Sequence, residues 1–218
     1  MNFEKELEHR TKEVETIVKS YLPEESGWAK TVMEAMNYSV NVGGKRLRPM
    51  LMAETYRLFG GADKVIEPYM AAIEMIHTYS LVHDDLPAMD NDEYRRGKKT
   101  TWVVYGDAMA ILAGDGLLNY AFETALTSFE MPGSSVAAKA KALSILAKKA
   151  GIHGMIGGQT ADIEAEHLGG SVTKEHLLFI HEHKTAALIQ APMMAGAELA
   201  HASDAQVQII EQAAYEIG

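Results

Sequence analysis

Residues 77–102, HTYSLVHDDLPAMDNDEYRRGKKTTW, set the reading of the whole chain. Upstream of Asp84 the apolar residues Met70, Ile73, Ile76 and Leu81 fall at helical spacing, which marks the end of a buried helix. His77 lies seven residues before Asp84, about two helical turns, so both share one face. Pro87 cannot continue that helix: it lacks a donor and clashes with the preceding turn, so the backbone must bulge or break. On an ideal wheel Asp84 and Asp90 point in different directions. Looping out two residues around Leu86-Pro87 restores an i, i+4 relation and converges the carboxylates. Asp84, Asp85 and Asp90 gathered at one helix end repel unless a cation sits between them. Oxygen ligands with no cysteine and no tight histidine pair favour Mg²⁺ over Zn²⁺. With Arg95, Arg96, Lys98 and Lys99 following, the remaining ligands are expected to be water and a substrate phosphate. An aspartate-rich run standing alone reads as a solvated acidic loop. The buried helix before it and the paired arginines after it turn the reading toward a site.

A second charged stretch, GGKRLRP, spans Gly43 to Pro49. Its glycines interrupt a helical pattern, and Lys45, Arg46 and Arg48 open the next helix with Pro49 in its first turn. Free N–H groups at a helix start, together with cations, make an anion site, and the glycines allow a phosphate to come close. The plain alternative is a solvated basic corner.

Composition narrows the classes. The chain has 218 residues, 47% of them hydrophobic, which suits one folded domain with a real core. A formal net charge of −10 argues against a general nucleic-acid binder and against an anionic membrane surface. The few basic residues are clustered, which suits a small anionic ligand. There is no cysteine, hence no disulfide framework and no thiolate chemistry. The charged start is no signal peptide, and no apolar run is long enough to span a bilayer, so a cytoplasmic protein is expected.

Helical periodicity runs throughout, with no strand-like alternation, no repeat and no low-complexity linker. Amphipathic helices are expected over residues 3–21, 28–40, 47–59, 63–85 and 107–129, with another from Ser134 or Ser135 to about Lys149. Gly106, Gly114 and Gly116 suggest a close approach of two helices near a dimer interface. Gln159 and Asp162 are three apart on one helical face; Glu164, Glu166 and His167 are expected to face solvent. Thr173 begins a further helix. His181 and His183 are two apart and diverge on a helix, so they make no metal pair. Pro192 and Gly196 should distort the helix that follows, and residues 204–217 form a last amphipathic segment. These elements predict an all-α, single-domain bundle of about ten helices around a central cavity, covering residues 1–218.

The segment HDDLPAMDNDEYRRGKKTTW resembles the first aspartate-rich motif of the trans-isoprenyl diphosphate synthases, and GGKRLRP resembles a second motif of that family. The two-residue insertion between Asp85 and Asp90 is similar to the bacterial farnesyl diphosphate (geranyltranstransferase) group. The resemblance implies a polyprenyl synthase domain of the isoprenoid-synthase fold. It would be a prenyltransferase that condenses isopentenyl diphosphate with dimethylallyl or geranyl diphosphate to farnesyl diphosphate. It implies Mg²⁺, with Mn²⁺ as a substitute, on Asp84, Asp85 and Asp90. Gly44, Lys45, Arg48, His77 and Arg96 would hold isopentenyl diphosphate. Arg95, Lys184 and Thr185 would contact the allylic diphosphate and the developing cation, with Gln159 and Asp162 looking into the site. Tyr79 and Ser80 would limit chain length. Ser80 lies about 40° from Asp84 on an ideal wheel, which fits, whereas Tyr79 lies about 140° away and rests on the resemblance alone. A homodimer is also implied.

Family members continue into a second aspartate-rich motif that has no counterpart here, and a C-terminally truncated domain of poor activity is the expectation. The alternatives are a geranylgeranyl diphosphate synthase, a non-catalytic synthase-like subunit and an HD-type metal phosphohydrolase using His83-Asp84.

Overall fold

The computed structural model describes residues 2–167 and 172–218, except for the side chain of His167. Among them the helices are α1 (Phe3–Ser20), α2 (Lys30–Asn41), α3 (Leu47–Leu58), α4 (Glu67–Asp84), α5 (Thr101–Tyr105), α6 (Asp107–Leu126), α7 (Val136–Ala150), α8 (Met155–His167), α9 (Lys174–Ile180), α10 (Ala187–Leu199) and α11 (Asp204–Ile217). The all-α bundle predicted from periodicity is the observed architecture.

Helix α4 is its axis. It is apolar on every side rather than striped, and a helix of that kind belongs in the middle of a bundle. Pro68 to Ile76 are buried without a break, as are Thr78, Tyr79 and Val82. Helices α6, α3, α1, α10 and α2 pack around it. A 3₁₀ turn, Lys64–Ile66, leads into it. Asp63 caps that turn through the Val65 N–H at 3.1 Å and also accepts the Tyr56 hydroxyl at 2.9 Å.

Helix α10 is buried along its whole length. Pro192 and Gly196 do not interrupt it; the irregular turn lies upstream, a π-helical turn at His181–Ala186. Gly196 serves close contact instead. A Cβ there would stand 2.5 Å from the Met52 carbonyl oxygen, so α3 and α10 meet backbone to backbone. A smaller apolar cluster of Ile189, Met193, Val207, Ile210 and Ala214 seats α11, which begins with a capping box between Ser203 and Gln206.

Other sequence expectations are refined or corrected. The long helix after Asp107 stops at Leu126 and tightens into a 3₁₀ turn, Thr127–Glu130. Gly114 and Gly116 mark close approaches of α6 to α4 and α2, as their place in a helix suggested: a Cβ at Gly114 would run into the His83 ring, and one at Gly116 would stand 2.8 Å from Met36 Sδ. Gly106 lies outside the helix interior, joining α5 to α6 at φ 83°. Finally, a short antiparallel pair, β1 (Tyr94–Arg95) and β2 (Lys98–Lys99), follows α4. Its two-residue loop, Arg96-Gly97, has φ 53° and 76°, the left-handed pair whose twist suits a tight hairpin. Strands of two residues are too short to show alternation. No helix among the described residues is long and apolar enough to cross a membrane.

The α3–α10 contact sets a test. Gly196→Ala should lower unfolding stability by about 1–3 kcal/mol through overpacking, although alanine is the better helix former. An undiminished urea midpoint would show that the two backbones do not need that space.

Candidate active site

The end of α4 builds the site. The Asp90 N–H donates to the Asp84 carbonyl at 2.9 Å, a bond spanning six residues where a helix would span four. The chain therefore resumes after two looped-out residues, as Pro87 requires. Met89 and Asn91 N–H groups both return to the Leu86 carbonyl, at 2.9 and 3.1 Å, and fix the loop. Asp84 and Asp90 converge. Burial first, and then Asp84, push the Asp90 carboxyl above its ordinary range, while Lys184 pulls it down.

Asp85 stands elsewhere. It is 4% exposed and accepts Arg95 Nε at 2.7 Å and Nη2 at 2.5 Å on one oxygen. Burial raises its pKa and Arg95 opposes that rise. Adjacent residues on a helix end diverge by about 100°, so Asp84 faces the bundle's cavity while Asp85 faces the hairpin. Among the described residues no three acidic or histidine side chains form a ready-made metal cage. Asp84 and Asp90 nonetheless fit a hard cation: both are oxygen donors, and an ammonium, Lys184, already stands 3.8 Å from Asp84.

The glycine-rich stretch forms a cationic cup. Gly44, Lys45, Arg48, His77 and Arg96 line one cleft of about 520 Å³. Arg46, by contrast, turns inward. It is 3% exposed, with Nη1 at 2.6 Å from Glu74 and Nη2 donating to the Val40 carbonyl at 2.7 Å. It is a brace rather than a ligand. Its own backbone is left-handed, φ 50°, which starts α3 with no side-chain cap over its free N–H groups. Gly44 admits the Arg96 guanidinium, which occupies the space a Cβ would take. Burial lowers the pKa of both Arg48 and Arg96, and Glu74 offsets that. Arg48 Nε is buried without a partner. Burial, followed by the guanidiniums of Arg48, Arg96, Arg95 and Arg46, holds the His77 imidazole well below its ordinary range, so it is neutral at pH 7.

Arg48 and His77 also line a larger cavity of about 800 Å³, walled by apolar residues such as Leu118, Met155, Ile163 and Leu188. Asp84, Gln159, Lys184 and Thr185 stand in the same wall, as do Tyr79 and Ser80. The helical wheel set Tyr79 apart from Asp84. The structure brings both to the cavity because the cavity wraps a wide arc of α4, with Tyr79 and His83 on one side and Ser80 and Asp84 on the other; the Tyr79 ring stands edge-on to His83 at 5.8 Å. The Tyr79 hydroxyl is buried with no partner, and burial pushes its pKa up to about 12. Gln159 Nε2 donates to Asp84 Oδ1 at 2.5 Å, and Asp162 holds Lys184 Nζ at 2.6 Å. Glu164 and Glu166 are exposed as expected; the side chain of His167 lies outside the described residues.

Sequence reasoning missed Glu74, Gly158 and the π turn. A Cβ at Gly158 would collide with the Lys184 backbone, so α8 presses directly against that turn. A glycine inside a helical pattern was the available signal. Nothing in the local sequence marked Glu74 as a buried counter-charge.

An all-helical bundle with an apolar well, acids and bases meeting at its mouth, is an isoprenoid-synthase type of site. Residues 29–218 match the family model described as polyprenyl synthetase, and the chain belongs to that family. It is 44% identical over 218 residues to a farnesyl diphosphate synthase of Geobacillus stearothermophilus, covering all of this chain and 72% of that protein. It is 45% identical over 188 residues to the large subunit 1 of a heterodimeric chloroplastic geranylgeranyl pyrophosphate synthase of Arabidopsis thaliana, covering 86% of this chain and 51% of that protein. The crystal structure of an FPP/GFPP synthase from Zymomonas mobilis superimposes with a TM-score of 0.90 at 32% identity, covering 99% of this chain and 77% of that one.

The neutral His77 predicts a pH effect. Its folded pKa lies well below the ordinary histidine value of 6.5, so on acidification the unfolded chain takes a proton that the folded state refuses. Stability should fall as the pH drops below about 6.5. His77→Gln should flatten that part of the profile in urea titrations, and an unchanged slope would contradict the assignment.

Proposed function

We propose that this chain performs head-to-tail prenyl transfer, joining isopentenyl diphosphate to dimethylallyl or geranyl diphosphate to give farnesyl diphosphate. The observation that carries the reading is the shared wall. Arg48 and His77 belong both to the cationic cup and to the apolar cavity, so two anionic heads and two greasy tails can meet across it.

In this reading the cup of Gly44, Lys45, Arg48 and Arg96 holds the isopentenyl diphosphate. The allylic C–O bond breaks, and its electron pair leaves with the diphosphate. The isopentenyl double bond attacks the allylic cation, and a proton then passes to the departed diphosphate. Mg²⁺ or Mn²⁺ bound at Asp84 and Asp90 would supply positive charge against that leaving group. Lys184 adds a side-chain cation there, and Asp85 fixes Arg95 in place for the same task. The apolar cavity excludes the water that would trap the cation. Thr185 stands in the cavity wall, and Tyr79 and Ser80 limit how far the product can grow. Exposed Val104, Ile111 and Leu112 on α5 and α6 support a homodimer as the working form.

His83 speaks against a phosphohydrolase using a His83-Asp84 ligand pair. Its Nε2 stands 3.0 Å from the Ile111 carbonyl and 3.8 Å from Asp115, not beside Asp84.

The test is an assay of the full-length protein with labelled isopentenyl diphosphate, geranyl diphosphate and Mg²⁺, with products resolved by carbon number. A fifteen-carbon diphosphate is expected, and Asp84→Ala should cut its formation on the order of 100-fold or more. A twenty-carbon product would favour the geranylgeranyl alternative, and release of inorganic phosphate alone would end the proposal. Tyr79→Ala should lengthen the product; an unchanged chain length would remove Tyr79 from that role.

A further inference from the structure

Lys184 stands against a carboxylate that the proposed ion would take. Its Nζ is 2.6 Å from Asp162 Oδ2 and 3.8 Å from Asp84 Oδ2. Gln159 takes the other oxygen of Asp84, Oδ1, at 2.5 Å. Both oxygens of Asp84 therefore face groups of this chain. The Lys184 side chain is 29% exposed, so it has room to move. It rises from the π turn, whose extra residue per turn aims it across at α8 and α4, while Gly158 lets α8 lie against its backbone.

We propose that Lys184 is the resident counter-cation of the site before a divalent ion arrives, that Asp162 is the positioning residue which holds it, and that ion uptake requires Lys184 to give way. This rests on the reading that Asp84 and Asp90 receive the ion. Asp162, the nearer carboxylate, keeps the ammonium from settling fully on Asp84. An incoming cation meets a like charge a few ångströms from its ligand and is opposed by it. A diphosphate gives Lys184 a new partner, so ion and diphosphate assist each other's binding, reciprocally. The device keeps the acids of the empty site from repelling one another and reserves tight ion binding for the moment when substrate is present.

The test uses Mn²⁺ alone, with no diphosphate, on the full-length chain, with free ion followed by electron paramagnetic resonance. Lys184→Gln should bind Mn²⁺ roughly tenfold more tightly than the unaltered protein. Lys184→Arg, which keeps the charge, should return the affinity toward the original. Asp162→Asn should weaken Mn²⁺ binding when Lys184 is present and change nothing in the Lys184→Gln background. The proposal is overturned if Lys184→Gln binds no more tightly, or if Asp162→Asn weakens binding equally in both backgrounds, as a direct ligand would. Asp84→Asn separates this from the reading beneath it. If that variant keeps Mn²⁺ binding, the ion's placement is wrong; if it loses binding while Lys184→Gln is unaltered, only the role of Lys184 falls.

Discussion

A helix enclosed on all sides by apolar neighbours cannot carry an unpaired charge along its length, because desolvating one is too costly. That constraint governs this molecule. Helix α4 obeys it twice over. Its mid-helix carboxylate, Glu74, is 2% exposed and paired with Arg46; its other acids stand at its ends, Glu67 in the first turn and Asp84 and Asp85 at the last, where the buried Asp85 is paired with Arg95. Asp84 and Asp85 thus stand at a helix end, where a charge can meet solvent or a partner from outside the helix. The same enclosure supplies the apolar well below them.

Glu74 has a second consequence. The cup is lined by Lys45, Arg48 and Arg96 and by a fourth cation, Arg46, whose side chain is buried against Glu74. Without Glu74 these would repel one another in a poorly hydrated corner. With it, Arg46 is neutralised and becomes scaffolding, and the others remain uncommitted for an anion. Of the three positive side chains in the glycine-rich motif, one therefore builds the site and two face into it.

Much of this was legible in the sequence because it follows from local rules. Period-3.6 patterning marked the helices, Pro87 forced the two-residue loop, and Gly43-Gly44 marked a break before a cationic helix start. What was hidden depended on the third dimension. Asp84 and Asp85 look alike in sequence, yet one faces the cavity and the other pairs with Arg95 ten residues on. Tyr79 looked misplaced on a wheel because a wheel does not show how wide an arc of the helix the cavity covers. The hairpin was invisible because two residues cannot alternate, and the π turn because His181–Ala186 has no composition that separates it from ordinary helix. Gly114, Gly158 and Gly196 could be flagged as close approaches, but not the partners they approach.

Arg96 sits at the tip of the hairpin in a left-handed conformation, and its guanidinium fills the space that glycine leaves open at position 44. The two residues are far apart in sequence and belong to different motifs, yet neither can be exchanged without regard to the other. GGKRLRP is therefore not a portable cassette: grafted onto another scaffold without this β-turn opposite it, the loop would lose one jaw of its grip. Over evolutionary time the two positions should drift as a pair, with any bulkier residue at 44 accompanied by a shorter one at 96.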